Sequence, residues 1–147
     1  MKFRFRLERM LHFVALRESM KKMEIAAIRQ SIQVKEQAKA TMEKAISHLL
    51  TASKARMAVD VAWMPYEAQK ISTNSKEISR VEAMIRQEHE HLVMRQEELT
   101  KLSLKKRALE SLRDKRKQEF TLAQSRKEQK ILDASYRTSA KDRDKTG

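Results

Sequence analysis

The residues that most often carry chemistry in proteins are scattered through this sequence of 147 residues. His89 and His91 are two positions apart, so a helix points them to different faces, and His12 and His48 are isolated. A helical zinc site needs ligands four positions apart, which none of these spacings provides. The absence of cysteine also removes thiolate ligands and a disulfide framework. We therefore predict no metal site.

Carboxylates and glycines give no sign of catalysis either. Neighbouring acidic residues, such as Glu97 with Glu98, are typical of a solvated helix face. A loop that holds phosphate needs clustered glycines, and the one Gly is the last residue. Catalytic groups also need a concave pocket that excludes water. We predict that the protein is not an enzyme and has no catalytic residues, no cofactor and no small-molecule substrate.

A basic stretch occupies residues 105–117, where Lys and Arg outnumber acidic residues. Such a stretch is compatible with a solvated coiled-coil face, an acidic protein partner or nucleic acid. Glu110, Asp114 and Glu119 lie within or beside it, and Phe120 is its one neighbouring aromatic residue. Nucleic-acid sites usually lack such carboxylates and often add stacking aromatics. The sequence therefore favours the solvated face or the protein partner.

The first 16 residues are basic and amphipathic. Phe3, Phe5 and Leu7 alternate with basic residues, which could favour a membrane surface, although a partner helix would need the same side chains. No apolar stretch approaches the roughly 20 residues of a spanning helix. The start also lacks the continuous apolar run of a secretory signal, so we do not expect one there.

The net charge of +13 is unevenly distributed. Residues 1–30 carry +5, residues 31–100 carry 0 and residues 101–147 carry +8. A fold that brings the two ends of the sequence together would concentrate the positive charge at one place. That place would attract an acidic partner.

The composition is that of long helices. One Pro and one Gly cannot supply the turns of a sheet or barrel, and 36% of the residues are charged against 5% aromatic. We predict an all-α fold with helices at about 5–62 and 66–132, paired as an antiparallel coiled-coil hairpin over residues 1–132. The tail, residues 133–147, is expected to be frayed or disordered.

Apolar residues recur at steps of three and four in both predicted helices. In the second helix, Ile78, Ile85, Leu92 and Leu99 are seven apart, with Val81, Leu102 and Leu109 at companion positions and polar residues at 88, 95 and 106. The predicted seam of the first helix is Phe13, Leu16, Met20, Met23, Ala27, Val34, Ala38, Met42, Ala45, Leu49, Ala52, Val59 and Trp63. Seven-residue repeats predict a left-handed coiled coil.

The turn is predicted at Ala62–Tyr66, because Pro65 disfavours helix at the residue before it and suits the first turn of the next helix. The polar residues 72–75, in which Asn74 and Glu77 have capping-box spacing, are a second candidate. If the turn is at Ala62–Tyr66, the numbers of two residues that face each other across the hairpin should add up to about 129. Leu49 would then lie near Arg80.

Several large apolar residues of the first helix lie off this predicted seam. They are Ile25, Ile28, Ile32, Ile46, Leu50 and Met57. They could form the edge of a broad seam or a face that binds a partner, and the sequence leaves both interpretations open.

Three segments resemble the FliJ family, the small coiled-coil component of the bacterial flagellar type III export apparatus. The start, Phe3-Arg4-Phe5-Arg6-Leu7-Glu8, resembles the FliJ amino terminus. Residues 106–115, KRALESLRDK, are similar to the family's Lys/Arg-x-Leu-Glu-x-Leu block, and residues 126–133, RKEQKILD, to its Glu-Gln-Lys-x-Leu-Asp segment. Together with the length and the hairpin plan, the resemblance spans most of the chain.

The resemblance implies a non-catalytic stalk, similar to the central stalk of rotary ATPases, at the cytoplasmic side of the inner membrane. It implies docking into the ring of the export ATPase FliI and contact with the cytoplasmic domain of the export-gate protein FlhA, and an association with export chaperones. The stalk of an injectisome-type secretion system shares this design and stays an alternative.

The residues expected at each contact follow from this resemblance and from their chemistry. Those expected at the ATPase ring are Arg4, Arg6, Arg9, Lys106, Arg107, Arg113, Arg116 and Lys117. Those expected at the export gate are Met42, Ile46, Leu49, Leu50, Trp63 and Tyr66. Gln69, Thr73 and Lys76 are polar where the family's pattern has apolar residues.

Overall fold

The computed structural model describes residues 2–56 and 64–147 and contains two long helices. Helix α1 is Glu8–Arg56, and helix α2 is Met64–Lys145. The described residues contain no strand. The prediction of an all-α fold with two long helices is confirmed.

Both helices are long because nothing in their sequences breaks them. Residues 8–56 contain no Gly or Pro, and Pro65 is the second residue of α2, where a missing N–H needs no partner. Glu67 lies in the first turn of α2, where a carboxylate suits the positive end of the helix dipole. The expectation that Pro65 lies in the first turn of a helix is thus confirmed.

The predicted turn positions need correction. Within Ala62–Tyr66, positions 62 and 63 lie outside the described residues, whereas residues 64–66 already belong to α2. The second candidate, residues 72–75, is also wrong because α2 continues through it. Thr73 Oγ1 donates to Gln69 O at 2.9 Å, so the hydroxyl of Thr73 is satisfied within the helix.

The carboxyl-terminal segment also differs from its prediction. Residues 133–145 are helical, so the expected end of the helix at Leu132 is wrong. Arg143 and Lys145 lie in the last turn, where cations suit the negative end of the helix dipole. Every side chain from residue 125 onward is exposed, so local helix propensity supports this part of α2.

The chain divides into two compact units. One unit contains Met1–Arg17 and Leu102–Gly147, and the other contains Glu18–Lys101. We call them the terminal unit and the central unit. In the central unit, α1 and α2 run antiparallel, as the pairs Lys21 with Glu98 and Lys39 with Glu82 require.

A strict heptad repeat appears in the burial pattern of the central unit. Most of the buried and half-buried positions of α1 alternate steps of three and four: 18, 21, 25, 28, 32, 35, 39, 42, 46 and 49. Ser31, Ala52 and Ser53 are half-buried as well. On α2, Ile78, Val81, Ile85, Leu92 and Leu99 are half-buried at matching steps. The predicted heptads of α2 are therefore confirmed in the central unit.

The predicted seam of α1 is largely wrong. Ile25 and Ile32, which had been placed off the seam, are 4% and 6% exposed and lie in it. Residues expected in the seam are instead exposed: Phe13, Leu16, Met20, Met23, Ala27, Val34, Ala38 and Ala45. Met42, Leu49 and Ala52 are half-buried as expected, and Leu50 is exposed. Met57, Val59 and Trp63 lie outside the described residues.

The register of the two helices is also shifted from the prediction. Lys21 pairs with Glu98 and Lys39 with Glu82, so paired positions sum to 119 and 121 rather than about 129. In the predicted register, Lys21 would face Ala108 and lose its carboxylate partner. The observed sums are thus eight to ten lower than the predicted one.

Candidate functional site

The first residues of the terminal unit form an extended segment before α1. In residues 2–7, Phe3, Phe5 and Leu7 are half-buried, whereas Arg4 and Arg6 are exposed. This alternation is that of extended backbone, in which successive side chains point to opposite sides. The helix predicted to start near residue 5 starts instead at Glu8, whose N–H donates to Phe5 O at 3.2 Å.

An aromatic contact attaches this extended segment to α2. The rings of Phe3 and Phe120 are 5.6 Å apart between centroids, at an interplanar angle of 51°, a tilted arrangement that aromatic pairs favour. Leu11, at the start of α1, is buried as well. Phe3, Phe5, Leu7 and Leu11 are thus at least half covered within the protein, which argues against the membrane-surface interpretation.

Arginines surround a cavity of about 600 Å³ between the extended segment and α2. Its charged walls are Arg4, Arg6, Arg9, Arg113, Lys117, Glu8 and Asp114. Arg113 lies near two carboxylates, with Nη1 4.0 Å from Glu8 Oε1 and Nε 3.8 Å from Asp114 Oδ1. Five cations therefore face two carboxylates, and the cavity carries a net positive charge.

A second cavity, of about 720 Å³, adjoins the same segment. Arg4 and Arg6 line this cavity too, together with Arg116 and Glu119. Arg116 Nη1 is 3.2 Å from Glu119 Oε2 one turn later in α2. We call Arg4, Arg6, Arg9, Arg113, Arg116 and Lys117 the basic cluster.

The structure brings together six of the eight residues predicted at the ATPase ring. The other two, Lys106 and Arg107, lie elsewhere in the terminal unit. Lys106 is half-buried. Arg107 lines a shallower depression with Glu110, Asp114 and Lys115.

The residues predicted at the export gate form no single exposed patch. Met42, Ile46 and Leu49 are half-buried in the heptad positions of α1. Leu50 and Tyr66 are 47% and 60% exposed. The ammonium of Lys70 is 5.9 Å from the centroid of the Tyr66 ring. Trp63 lies outside the described residues.

Ion pairs between the helices of the central unit were missed by sequence reasoning. Lys35 Nζ and Ser31 Oγ both donate to Glu88 Oε1, the latter at 2.8 Å. The hydrogen bond from Lys35, helped by that from Ser31, holds the pKa of Glu88 below its usual 4.5 despite partial desolvation. The sequence did contain a signal for this pair, because Glu88 is a polar residue at a seam position of α2.

Three further cation–carboxylate contacts join the same two helices. Lys21 Nζ lies 2.8 Å from Glu98 Oε2, and Lys39 Nζ lies 3.0 Å from Glu82 Oε1. The hydrogen bond with Glu98 raises the pKa of Lys21, and the hydrogen bond with Glu82 raises that of Lys39. Arg95 Nε is 3.5 Å from Glu24 Oε2. We call these three contacts and the Lys35–Glu88 pair the seam ion pairs.

The described residues contain no group of three or more His, Cys, Asp or Glu side chains that could hold a metal ion. His12 Nε2 lies 3.5 Å from Glu8 Oε1, and both side chains are well exposed. Across the described residues, neither helix has a stretch apolar enough to cross a bilayer.

The basic cluster is suited to binding an anionic surface, because several guanidinium groups lie side by side in it.

No protein-family model, curated protein or solved structure matches this chain.

Proposed function

We propose that this protein is a non-catalytic coiled-coil component of the FliJ type, which binds the ring of the bacterial flagellar export ATPase through its basic cluster. The observation that carries the proposal is the gathering of Arg4, Arg6, Arg9 and Arg113 around one cavity with only two carboxylates. The family resemblance supplies the identity of the partner. The protein would act as a stalk similar to that of rotary ATPases.

The chemistry of the cluster supports an acidic protein surface as its partner. A guanidinium binds a carboxylate through two parallel hydrogen bonds, and several guanidiniums on an exposed rim attract an acidic loop from a distance. Glu8 and Asp114 lie close to Arg113 and lower the density of positive charge. A continuous phosphate backbone would be repelled by those carboxylates, which favours protein over nucleic acid.

The second proposed contact, with the export gate FlhA, rests on exposed residues of the central unit. Among the described residues proposed for it, Leu50 and Tyr66 are exposed, whereas Met42, Ile46 and Leu49 are half-buried. We propose that contact with both partners promotes export of flagellar subunits, with the protein at the cytoplasmic side of the inner membrane and associated with export chaperones. The chain would contribute binding surfaces and no chemical step.

Charge reversal in the extended segment tests the ATPase contact. Arg4→Glu with Arg6→Glu is expected to abolish capture of the export ATPase and its stimulation, because both arginines line both cavities. Lys44→Glu with Lys54→Glu is a matched control, since it makes the same change in net charge at exposed residues of the central unit. Equal loss with both variants would contradict a localised site. Salt-sensitive binding of duplex DNA instead of the ATPase would support the nucleic-acid alternative.

A further inference from the structure

Within the central unit, α1 has an uncharged outer face. Met20, Met23 and Val34 are 54%, 73% and 58% exposed. Three small residues that are also exposed continue the same line along the helix: Ala27, Ala38 and Thr41. We call these six residues the outer stripe. It contains no charge in a chain of which 36% is charged.

The spacing of the outer stripe is that of a second coiled-coil seam. Successive residues of the stripe are three or four positions apart, except that Ala27 and Val34 are seven apart. No member of the stripe lies at residues 30 and 31. Ile25 and Ile32, on the other side of α1, are buried. α1 therefore carries two apolar faces, and the exposed one has the pattern that pairs with another helix.

Side-chain size identifies the helix that fits. The stripe begins with the long side chains of Met20 and Met23 and ends with the small ones of Ala38 and Thr41. Its spacing is symmetric about the midpoint between residues 30 and 31. Two copies running antiparallel would place Met20 opposite Thr41 and Met23 opposite Ala38. Each large side chain would then face a small one, as close packing requires.

We propose that the outer stripe pairs antiparallel with the outer stripe of a second copy of this chain. Such an interface is isologous and closes after two copies. Residues 8–30 of α1 carry +2 and residues 31–56 carry +3, so the net charge is nearly even along the helix, and the direction of the pair follows from side-chain size.

The polar groups beside the stripe are compatible with a second copy. Glu24 Oε2 is paired with Lys21 Nζ at 3.1 Å and with Arg95 Nε at 3.5 Å, and Lys35 is paired with Glu88. Thr41 Oγ1 donates to Gln37 O at 2.9 Å. Association would therefore bury few unpaired charges or hydroxyls, which is the main cost of such an interface.

Sedimentation velocity over a range of protein concentrations tests the pairing. The unaltered chain is expected to form dimers as its concentration rises, and Met23→Glu to weaken dimerisation by at least about tenfold, because each dimer would bury two new carboxylates. Met94→Glu is the matched control, since Met94 lies on α2 and is 59% exposed. A chain that stays monomeric, or equal weakening by both variants, would overturn the proposal.

Disulfide formation tests the direction of the pair, since the natural chain has no cysteine. A mixture of the single variants Met23→Cys and Ala38→Cys is expected to form mixed disulfide dimers, whereas Met23→Cys alone is expected to remain unlinked. Efficient linking of Met23→Cys to itself would contradict the antiparallel arrangement. This test is independent of the export function proposed above, because it needs no partner protein.

Discussion

Charged side chains are used differently in the central unit and in the terminal unit. In the central unit, each cation of the seam ion pairs meets a carboxylate on the opposite helix, as Lys21 meets Glu98. In the terminal unit, five cations and two carboxylates share one cavity. The first arrangement satisfies its charges internally, and the second leaves a net positive charge in the cavity. The same types of charged side chain can thus serve helix pairing in one unit and, as we propose, binding in the other.

The seam ion pairs act chiefly on the choice of register. Exposed ion pairs contribute little free energy of folding, but a wrong register would separate Lys21 from Glu98 and Lys35 from Glu88. Polar residues at seam positions of coiled coils are known to select alignment at some cost in stability. In the central unit, the seam ion pairs favour one register, which an apolar seam alone would not determine.

The largest expected effect comes from the apolar part of the seam. Ile32→Ala should lower the free energy of unfolding by about 2 kcal/mol, because Ile32 is 6% exposed and its loss leaves a cavity. Met23→Ala, at 73% exposure, should change it by less than about 0.5 kcal/mol. Urea unfolding at low protein concentration, where the chain is monomeric, measures both. A larger loss of stability in Met23→Ala than in Ile32→Ala would instead support the seam predicted from the sequence.

A double-mutant cycle on Lys35 and Glu88 is expected to give a smaller effect. Lys35→Met should destabilise the protein by about 1 kcal/mol, because Glu88 loses the donor that compensates its burial. Adding Glu88→Leu should recover much of that loss by making the layer apolar. Urea unfolding of the four proteins gives the coupling energy. Additive effects would show that the two side chains do not depend on each other.

The pH dependence of the free energy of unfolding should show the contribution of the Lys35–Glu88 pair, with a still smaller effect. The pKa of Glu88 is lower in the folded chain than its usual 4.5, so its contribution to stability is present above that pH and is lost as the pH falls through the folded value. The unaltered chain should therefore lose more stability than Lys35→Met between about pH 5 and pH 3. Thermal unfolding followed by circular dichroism checks this. Parallel curves for the two proteins would contradict the role of Lys35.

The sequence predicted α2 better than α1 for a physical reason. Along α2, an apolar residue repeats every seventh position from Ile78 to Leu99, so counting apolar residues finds the correct face. Along α1, the seam includes Lys21, Lys35 and Lys39, whose partners lie far away in the sequence. Counting apolar residues therefore selected a line of methionine, alanine and valine that includes five of the six residues of the outer stripe, all of them exposed.

The basic cluster could be predicted in its members but not in its geometry. The residue types and the charge distribution identified the arginines at both ends of the sequence. Their convergence on a cavity depends on the extended backbone of residues 2–7 and on the contact of Phe3 with Phe120, which helical periodicity does not reveal. Register errors likewise followed from using Pro65 as the centre of the turn.

The central claim is that the basic cluster binds an acidic partner, and the affinity for the export ATPase ring tests it most directly. Titration should show that Arg4→Glu with Arg6→Glu weakens binding by about 100-fold or more, since two charge-assisted contacts become repulsive. The control Lys44→Glu with Lys54→Glu should remain within about twofold of the unaltered chain. Unchanged affinity in the first variant, with its helical content intact, would contradict the account.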